Sequence, residues 1–248
     1  MHRFFLPEQT DTGDLTLSGA EAHHAARVLR VQQQERVMVL DGKGGERLCE
    51  VTHVKGDNIG LHIVEERHVP PLPFQITLLQ AIPKGKLFEA IVQKATELGV
   101  SRLVPLLSER VIVQLDDHNR VAKAERWQHV AIEAIKQCGA PWLPNVEPPQ
   151  TIDEILRQKR TCDLALIGAL DGSAQHPRIH LREFEQDHGR KPATVCVWIG
   201  PEGDFTPAEL ETIRSAGALP ITLGPLVLRT ETAAIYCLSF LNYELQAP

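Results

Sequence analysis

The sequence predicts an α/β protein with a mostly parallel sheet, preceded by a small β-rich domain. Three observations carry that prediction. Between residues 37 and 64 short β-rich segments alternate with turn-prone stretches, beyond Phe74 apolar runs alternate with amphipathic helical segments, and Pro70, Pro71 and Pro73 separate the two textures. At 248 residues, 43% hydrophobic and 23% charged, the chain has the composition of an ordinary globular protein and can fill one large core or two modest ones.

Residues 19 to 30 read as one short helix. Strands are expected over 37 to 40, 47 to 54 and 59 to 64, parted by Asp41-Gly42-Lys43-Gly44-Gly45 and Lys55-Gly56-Asp57-Asn58, whose composition favours tight turns. Such an arrangement is a small β-barrel or sandwich, and the proline cluster ends it, giving a first domain over 1 to 70 and a second over 74 to 248. Residues 74 to 81 then form an apolar strand, 87 to 98 a helix and 103 to 107 a second strand. In that helix Leu87, Ile91, Ala95 and Leu98 recur at helical spacing, Glu89, Gln93 and Glu97 share another face, and Gly99 stands where a helix stops. A longer helix follows over 122 to 137, then strands over 164 to 170 and 195 to 199, a helix over 206 to 216, a strand over 221 to 223 and a last helix over 230 to 245. Strands that alternate with helices imply a parallel sheet covered on both faces. There is no internal repeat.

Several function classes are disfavoured at once. No apolar stretch approaches the ~18 to 20 residues of a membrane helix, and the first residues lack a basic segment followed by an apolar one, so neither membrane insertion nor export is expected. The five cysteines are odd in number, far apart and free of any C-x-x-C pair, which points to a reducing compartment without a disulfide framework or zinc knuckle. G-x-G-x-x-G, G-x-x-x-x-G-K-[ST] and H-E-x-x-H are all absent. The net charge of −6 speaks against a protein coated in positive charge, so any nucleic-acid contact requires a local basic patch.

The sharpest signal is a pair of loops. Ile199-Gly200-Pro201-Glu202-Gly203-Asp204-Phe205-Thr206-Pro207 and Leu223-Gly224-Pro225-Leu226-Val227-Leu228-Arg229-Thr230-Glu231 each place glycine after an apolar strand and then lead into a helix. Both loops therefore belong at the carboxyl edge of a parallel sheet, where such sheets bind ligands. Gly200 and Gly203 let bare backbone approach a flat ligand, while Thr206, Pro207 and Glu209 fit a helix start.

Ahead of these loops stand Arg3-Phe4-Phe5, His23-His24 through Val28-Leu29-Arg30, and Lys84-Gly85-Lys86 followed by Lys94-Ala95-Thr96-Glu97-Leu98-Gly99-Val100. Ser108-Glu109-Arg110, Arg126-Trp127 and Glu133-Ala134 with Gln137-Cys138-Gly139 complete the set. With the two loops they resemble the SPOUT superfamily and, within it, the bacterial 16S ribosomal RNA uridine-N3 methyltransferases, the small subunit methyltransferase E family. The resemblance covers nearly the whole chain. It departs at Ala140, where many members carry arginine nearby, and at Pro225, where a polar residue is frequent.

This resemblance implies an N-terminal β-barrel similar to PUA domains and a C-terminal α/β domain threaded into a deep trefoil knot, against the general rule for chain connections. It also implies S-adenosylmethionine as methyl donor, 16S ribosomal RNA or the small ribosomal subunit as partner, and a homodimer; the cysteine pattern independently points to a cytoplasmic location. Carried over by position, the donor pocket would be Gly168, Leu170, Ile199, Gly200, Gly203, Leu223, Gly224, Leu228 and Thr230.

Methyl transfer from a sulfonium needs no metal. Uridine N3 carries a proton at neutral pH, so the enzyme must favour its loss and stabilise charge spreading to the ring carbonyl oxygens. Arg229 is the first candidate for that cation, with a surface salt bridge to Glu231 or another carboxylate as the competing reading. Glu202 or Glu231 could accept the proton, although a carboxylate capping a helix start is the plainer role for each. His23, Arg27 and Arg30 fall on one side of the first helix, where they could meet phosphates, while Ala25, Val28 and Leu29 point elsewhere; Asp11, Asp14 and Glu21 dilute that patch. The adjacent histidines have no ligand partners at metal spacing. Two other functions compete: a non-enzymatic RNA-binding module with no donor pocket, and a SPOUT methyltransferase acting on a ribose 2′-hydroxyl or a transfer RNA base.

Overall fold

The computed structural model describes residues 1–7, 14–56, 58–111, 116–170 and 172–246; Asp11 and Asp57 fall outside them. Contacts divide the chain into two units, Met1–Pro71 with Ile132–Leu143, and Leu72–Ala131 with Pro144–Pro248.

The first unit contains β1 (Arg3–Phe5), β2 (Asp14–Ser18), α1 (Gly19–His23), β3 (Arg36–Leu40), β4 (Gly45–Lys55) and β5 (Asn58–His68). They form one sheet in the order β1-β3-β4-β5-β2, with β1 parallel to β3 and the other neighbours antiparallel. Strands β3 to β5 match the expected segments, while β1 and β2 were not expected. In β2 only Leu15 and Leu17 alternate inward, too short a pattern to stand out, and they join Phe4, Val37, Val39, Ile59 and Leu61 in the core.

The helix expected over 19 to 30 changes character midway. After α1 the segment His24–Leu29 is a π-helix, and Arg30 ends it in the left-handed conformation at φ 53°. The wider i→i+5 bonding delays each side chain's rotation about the axis. Val28, expected to point away from the basic side, is consequently 63% exposed beside Arg27. Within this unit the Arg3 guanidinium donates to the carbonyls of Lys136 and Gln137 at 3.2 and 3.0 Å, and the buried Lys136 ammonium donates to Glu21 and Glu133. Cation donors at the last carbonyls of a helix satisfy acceptors that no later turn reaches.

The second unit contains β6 (Gln75–Ala81), α2 (Leu87–Glu97), β7 (Arg102–Leu107), most of α3 (Asp117–Cys138), β8 (Asn145–Val146), β9 (Gln150–Thr151), α4 (Ile152–Arg157), β10 (Leu164–Gly168), α5 (Pro177–His188), β11 (Thr194–Ile199), α6 (Pro207–Ser215), β12 (Leu219–Ile221) and α7 (Thr230–Gln246). Every strand pairing is parallel, in the order β12-β10-β11-β6-β7-β8, with β9 also on β7. Alternation along β6 sends Leu79 and Ala81 to one face, where Ile152 of α4 and Ile213 of α6 join them, and Ile76 and Leu78 to the other, where α2 packs with α7. The sheet is thus parallel and covered on both sides, as expected. Two expected strands end two residues early, at Gly168 and Ile221, and Leu87 lies exposed at the start of α2 rather than in the core. Among the described residues no helix is long and apolar enough to cross a membrane.

Candidate active site

Strand order brings distant stretches of sequence to one place. With β10 between β11 and β12, the carboxyl ends at Ile199, Gly168 and Ile221 lie side by side, and the segments leaving them converge on a cleft of about 290 Å³. Gly168 to Leu170 lie between the two glycine loops, with Ile199, Gly200, Leu223, Gly224 and Leu228 around them. Thr230 ties the loops together: buried at the start of α7, it donates its hydroxyl hydrogen to the Gly200 carbonyl at 2.5 Å. The same hydroxyl accepts from Gln80 Nε2 at 2.8 Å, so the end of β6 is joined to both loops. One Gln80 oxygen, Oε1, stays buried without a hydrogen-bond partner.

The glycines have separate reasons. Gly224 sits at φ 112°, which a side chain rarely tolerates, and Thr222 Oγ1 accepts its N–H at 3.2 Å. Gly200 has no such φ; a Cβ there would lie 3.1 Å from an Asp204 carboxylate oxygen and 3.2 Å from Phe205 N.

Beyond Gly200 the first loop turns back on itself. Arg110 donates to the carbonyls of Gly203, Asp204 and Phe205, and Asp204 takes the left-handed conformation at φ 59°. Thr206 and Glu209 form a capping box at the start of α6, and the other Glu209 oxygen accepts the Glu109 N–H at 2.8 Å. The buried Glu209 carboxylate therefore links this loop to the segment that carries Arg110.

Most residues carried over for the donor pocket come together. Gly168, Leu170, Ile199, Gly200, Leu223, Gly224, Leu228 and Thr230 line the cleft, whereas Gly203 does not line it and offers its carbonyl to Arg110 instead. Arg229 is exposed between two lining residues and pairs with no carboxylate among the described residues, so the salt bridge to Glu231 is not made. Glu202 is exposed and its Oε1 accepts the Lys84 N–H at 3.1 Å; Glu231 is half-buried in the first turn of α7. In the first unit His23, Arg27 and Arg30 are exposed, and Arg27 and Arg30 share a shallow groove with Gln32, Gln33 and Val54. Among the described residues no group of three or more His, Cys, Asp or Glu side chains is placed to hold a metal. Asp204, Gln80 and Arg110 also shape this site, though no role for them was legible in the sequence. Asp204 stood inside a quoted motif, but only folding turns it into the cleft.

The cleft suits a nucleoside carrying an aliphatic chain. Most of its side chains are apolar, main-chain polar atoms are exposed between them, and its size is near the lower end of the ~300 to 1,000 Å³ of small-molecule sites. Leu170, Leu226 and Val227 leave 64%, 74% and 78% of their surface exposed around it, so apolar area remains for something to cover.

A parallel α/β unit with such a cleft, preceded by a small β unit, has the parts of an RNA methyltransferase. Family models agree: one described as an RNA methyltransferase domain matches residues 70–242, and one described as an RNA methyltransferase PUA domain matches residues 17–64. The chain is 34% identical to ribosomal RNA small subunit methyltransferase E of Synechocystis over 97% of its own length and 77% of that protein. It is 29% identical to the Bacillus subtilis protein of that name, over 98% and 97% of the two chains. The crystal structure of the Neisseria gonorrhoeae ribosomal RNA small subunit methyltransferase E bound to S-adenosyl methionine superposes with a TM-score of 0.86 at 30% identity, covering 98% of each chain. The chain belongs to the ribosomal RNA small subunit methyltransferase E family.

Proposed function

We propose that this chain methylates N3 of a uridine in 16S ribosomal RNA, with S-adenosylmethionine as its methyl donor. The observation that carries the reading is the Thr230 hydroxyl bond to the Gly200 carbonyl, which joins two glycine loops into one apolar cleft in a member of this family. The Neisseria relative, which shares the fold along its whole length, was solved with S-adenosyl methionine, and that supports the same donor here.

When bound, S-adenosylmethionine supplies the methyl group from its sulfonium sulfur. The chain's own residues must do the rest. Ile199, Ile221, Leu223 and Leu228 give an apolar slot for a flat base, and the loops around Gly200 and Gly224 offer main-chain polar groups at its edges. Arg229 has a planar donor fork and, among the described residues, no competing carboxylate, so it is suited to hold the uracil carbonyl oxygens and to favour loss of the N3 proton. Glu202 is partly committed to the Lys84 N–H, so of the two glutamates beside the loops Glu231 is the freer to accept that proton, directly or through water. Arg27 and Arg30, with His23 nearby, supply a basic edge for RNA phosphates on the first unit.

The fold reading extends to a PUA-like β-barrel over residues 1 to 70 and a SPOUT domain over 74 to 248. A deep trefoil knot in the latter is supported by the two glycine loops following strands that flank β10. A homodimer fits the exposed apolar residues at the cleft rim, and a cytoplasmic location fits an RNA substrate of the ribosome. The deciding experiment is mass-spectrometric mapping of modified nucleosides on small-subunit RNA from cells with and without this protein. Loss of one N3-methyluridine supports the reading; loss of a ribose methylation, of a transfer RNA modification, or of nothing overturns it.

A further inference from the structure

We propose that the carboxylate of Asp204 is the counter-charge by which the cleft prefers a positively charged methyl donor to its neutral-sulfur product. The proposal rests on the donor reading above and adds to it the residue that senses the charge.

Among the described residues lining the cleft, Asp204 is the one with an ionisable side chain; the others are apolar, glycine, proline or threonine. Its position is fixed from several sides. Arg110 holds the carbonyls on both sides of it and its own, Asp204 Oδ1 accepts the Phe205 N–H at 2.8 Å, and Oδ1 lies beside the Cα of Gly200, where a Cβ would come within 3.1 Å. A left-handed backbone at φ 59° is uncommon for a residue with a side chain, and Asp is among the few that tolerate it. Arg110, whose guanidinium reaches this loop, spends its contacts on main-chain oxygens, and no cation of the described residues forms an ion pair with Asp204. The negative charge is therefore available to the cleft.

The ligand pair differs by the matching charge. S-adenosylmethionine carries a sulfonium; once the methyl carbon bonds to the acceptor nitrogen and the carbon–sulfur bond breaks, the electron pair stays on sulfur and leaves S-adenosylhomocysteine with a neutral thioether. A carboxylate held among uncharged side chains attracts the first more than the second. The attraction favours donor capture and product exchange, because the favourable interaction vanishes with the sulfonium charge.

The test is calorimetric binding of three probes: S-adenosylmethionine, S-adenosylhomocysteine and sinefungin, in which an ammonium-bearing carbon replaces the sulfonium. Asp204→Asn keeps the shape, the Phe205 contact and a residue that tolerates the left-handed region, and removes only charge. The expected result is about a fivefold to tenfold weaker affinity for the two probes charged at that position, with S-adenosylhomocysteine changed less than twofold. Asp204→Gly, which also accepts the backbone angle, should give the same selective loss and guards against a special effect of asparagine. Equal weakening for all three probes, or no change for any, overturns the proposal. Wild-type protein that binds none of them overturns the donor reading itself, which is a different outcome from either.

Discussion

Gly200 and Gly224 illustrate how one residue type answers two demands. A sequence motif suggests a common purpose, close approach of backbone to ligand. In the folded chain Gly224 is needed for its φ of 112°, with open space where a Cβ would go, while Gly200 is needed because the loop returns over it and brings Asp204 and Phe205 within 3.1 to 3.2 Å of that space. Thr230 acts in the same small region as a double connector, donor to Gly200 and acceptor from Gln80, and its neighbour Arg229 pairs with no carboxylate among the described residues. These two adjacent positions should separate by experiment. Arg229→Ala is expected to lower kcat by a hundredfold or more, on the order of removing one donor to a developing anion, while donor affinity measured by calorimetry stays within about twofold. A kcat within several-fold of wild type would show that the cation is supplied elsewhere.

At the level of elements, the clearest local signals are the helix starts. Thr151 with Glu154 and Thr206 with Glu209 both form capping boxes, in which side chain and backbone satisfy each other's orphan groups. The second was legible in the sequence; the first was not, because α4 is six residues long and carries no periodic stripe. Helix α5 was missed for a related reason: among its larger apolar side chains only Leu181 and Phe184 are buried, Ile179 is exposed, and most of its other residues are polar. Glu154 gives the first box a pH dependence. The Thr151 N–H, and then Arg120, hold its carboxyl below the usual 4.5, so its contribution is complete above that value and is lost as pH falls through the lower, folded-state value. Glu154→Gln should lower the melting temperature by about 2 °C at pH 7, an allowance that already discounts solvent screening of a partly exposed pair. As pH falls through that lower value the two proteins should converge. A gap that persists once Glu154 is protonated in the folded protein would mean that the charge is not what stabilises this turn.

The whole molecule adds what neither residues nor elements supply. Leu226 and Val227 on the second glycine loop, and Tyr236 and Tyr243 on α7, leave apolar surface exposed. If that surface pairs with a second copy, sedimentation at micromolar concentration will give twice the 27.6 kDa of the chain, and Val227→Glu will return it to the monomer. A wild-type monomer under those conditions would refute the dimer. The sequence alone determined the α/β character of the second unit, because strands and helices carry their own periods of two and 3.6 residues. It also marked residues 199 to 207 and 223 to 231 as the place to look, since glycine after an apolar strand and before a helix is a local pattern. What it could not decide was the strand order β12-β10-β11, which inserts Gly168 between the loops, or the backbone turn that carries Asp204 into the cleft under the hold of Arg110. Those depend on contacts between residues dozens of positions apart, and the choice among possible neighbours is made by the packing free energy of the whole sheet rather than by any local preference.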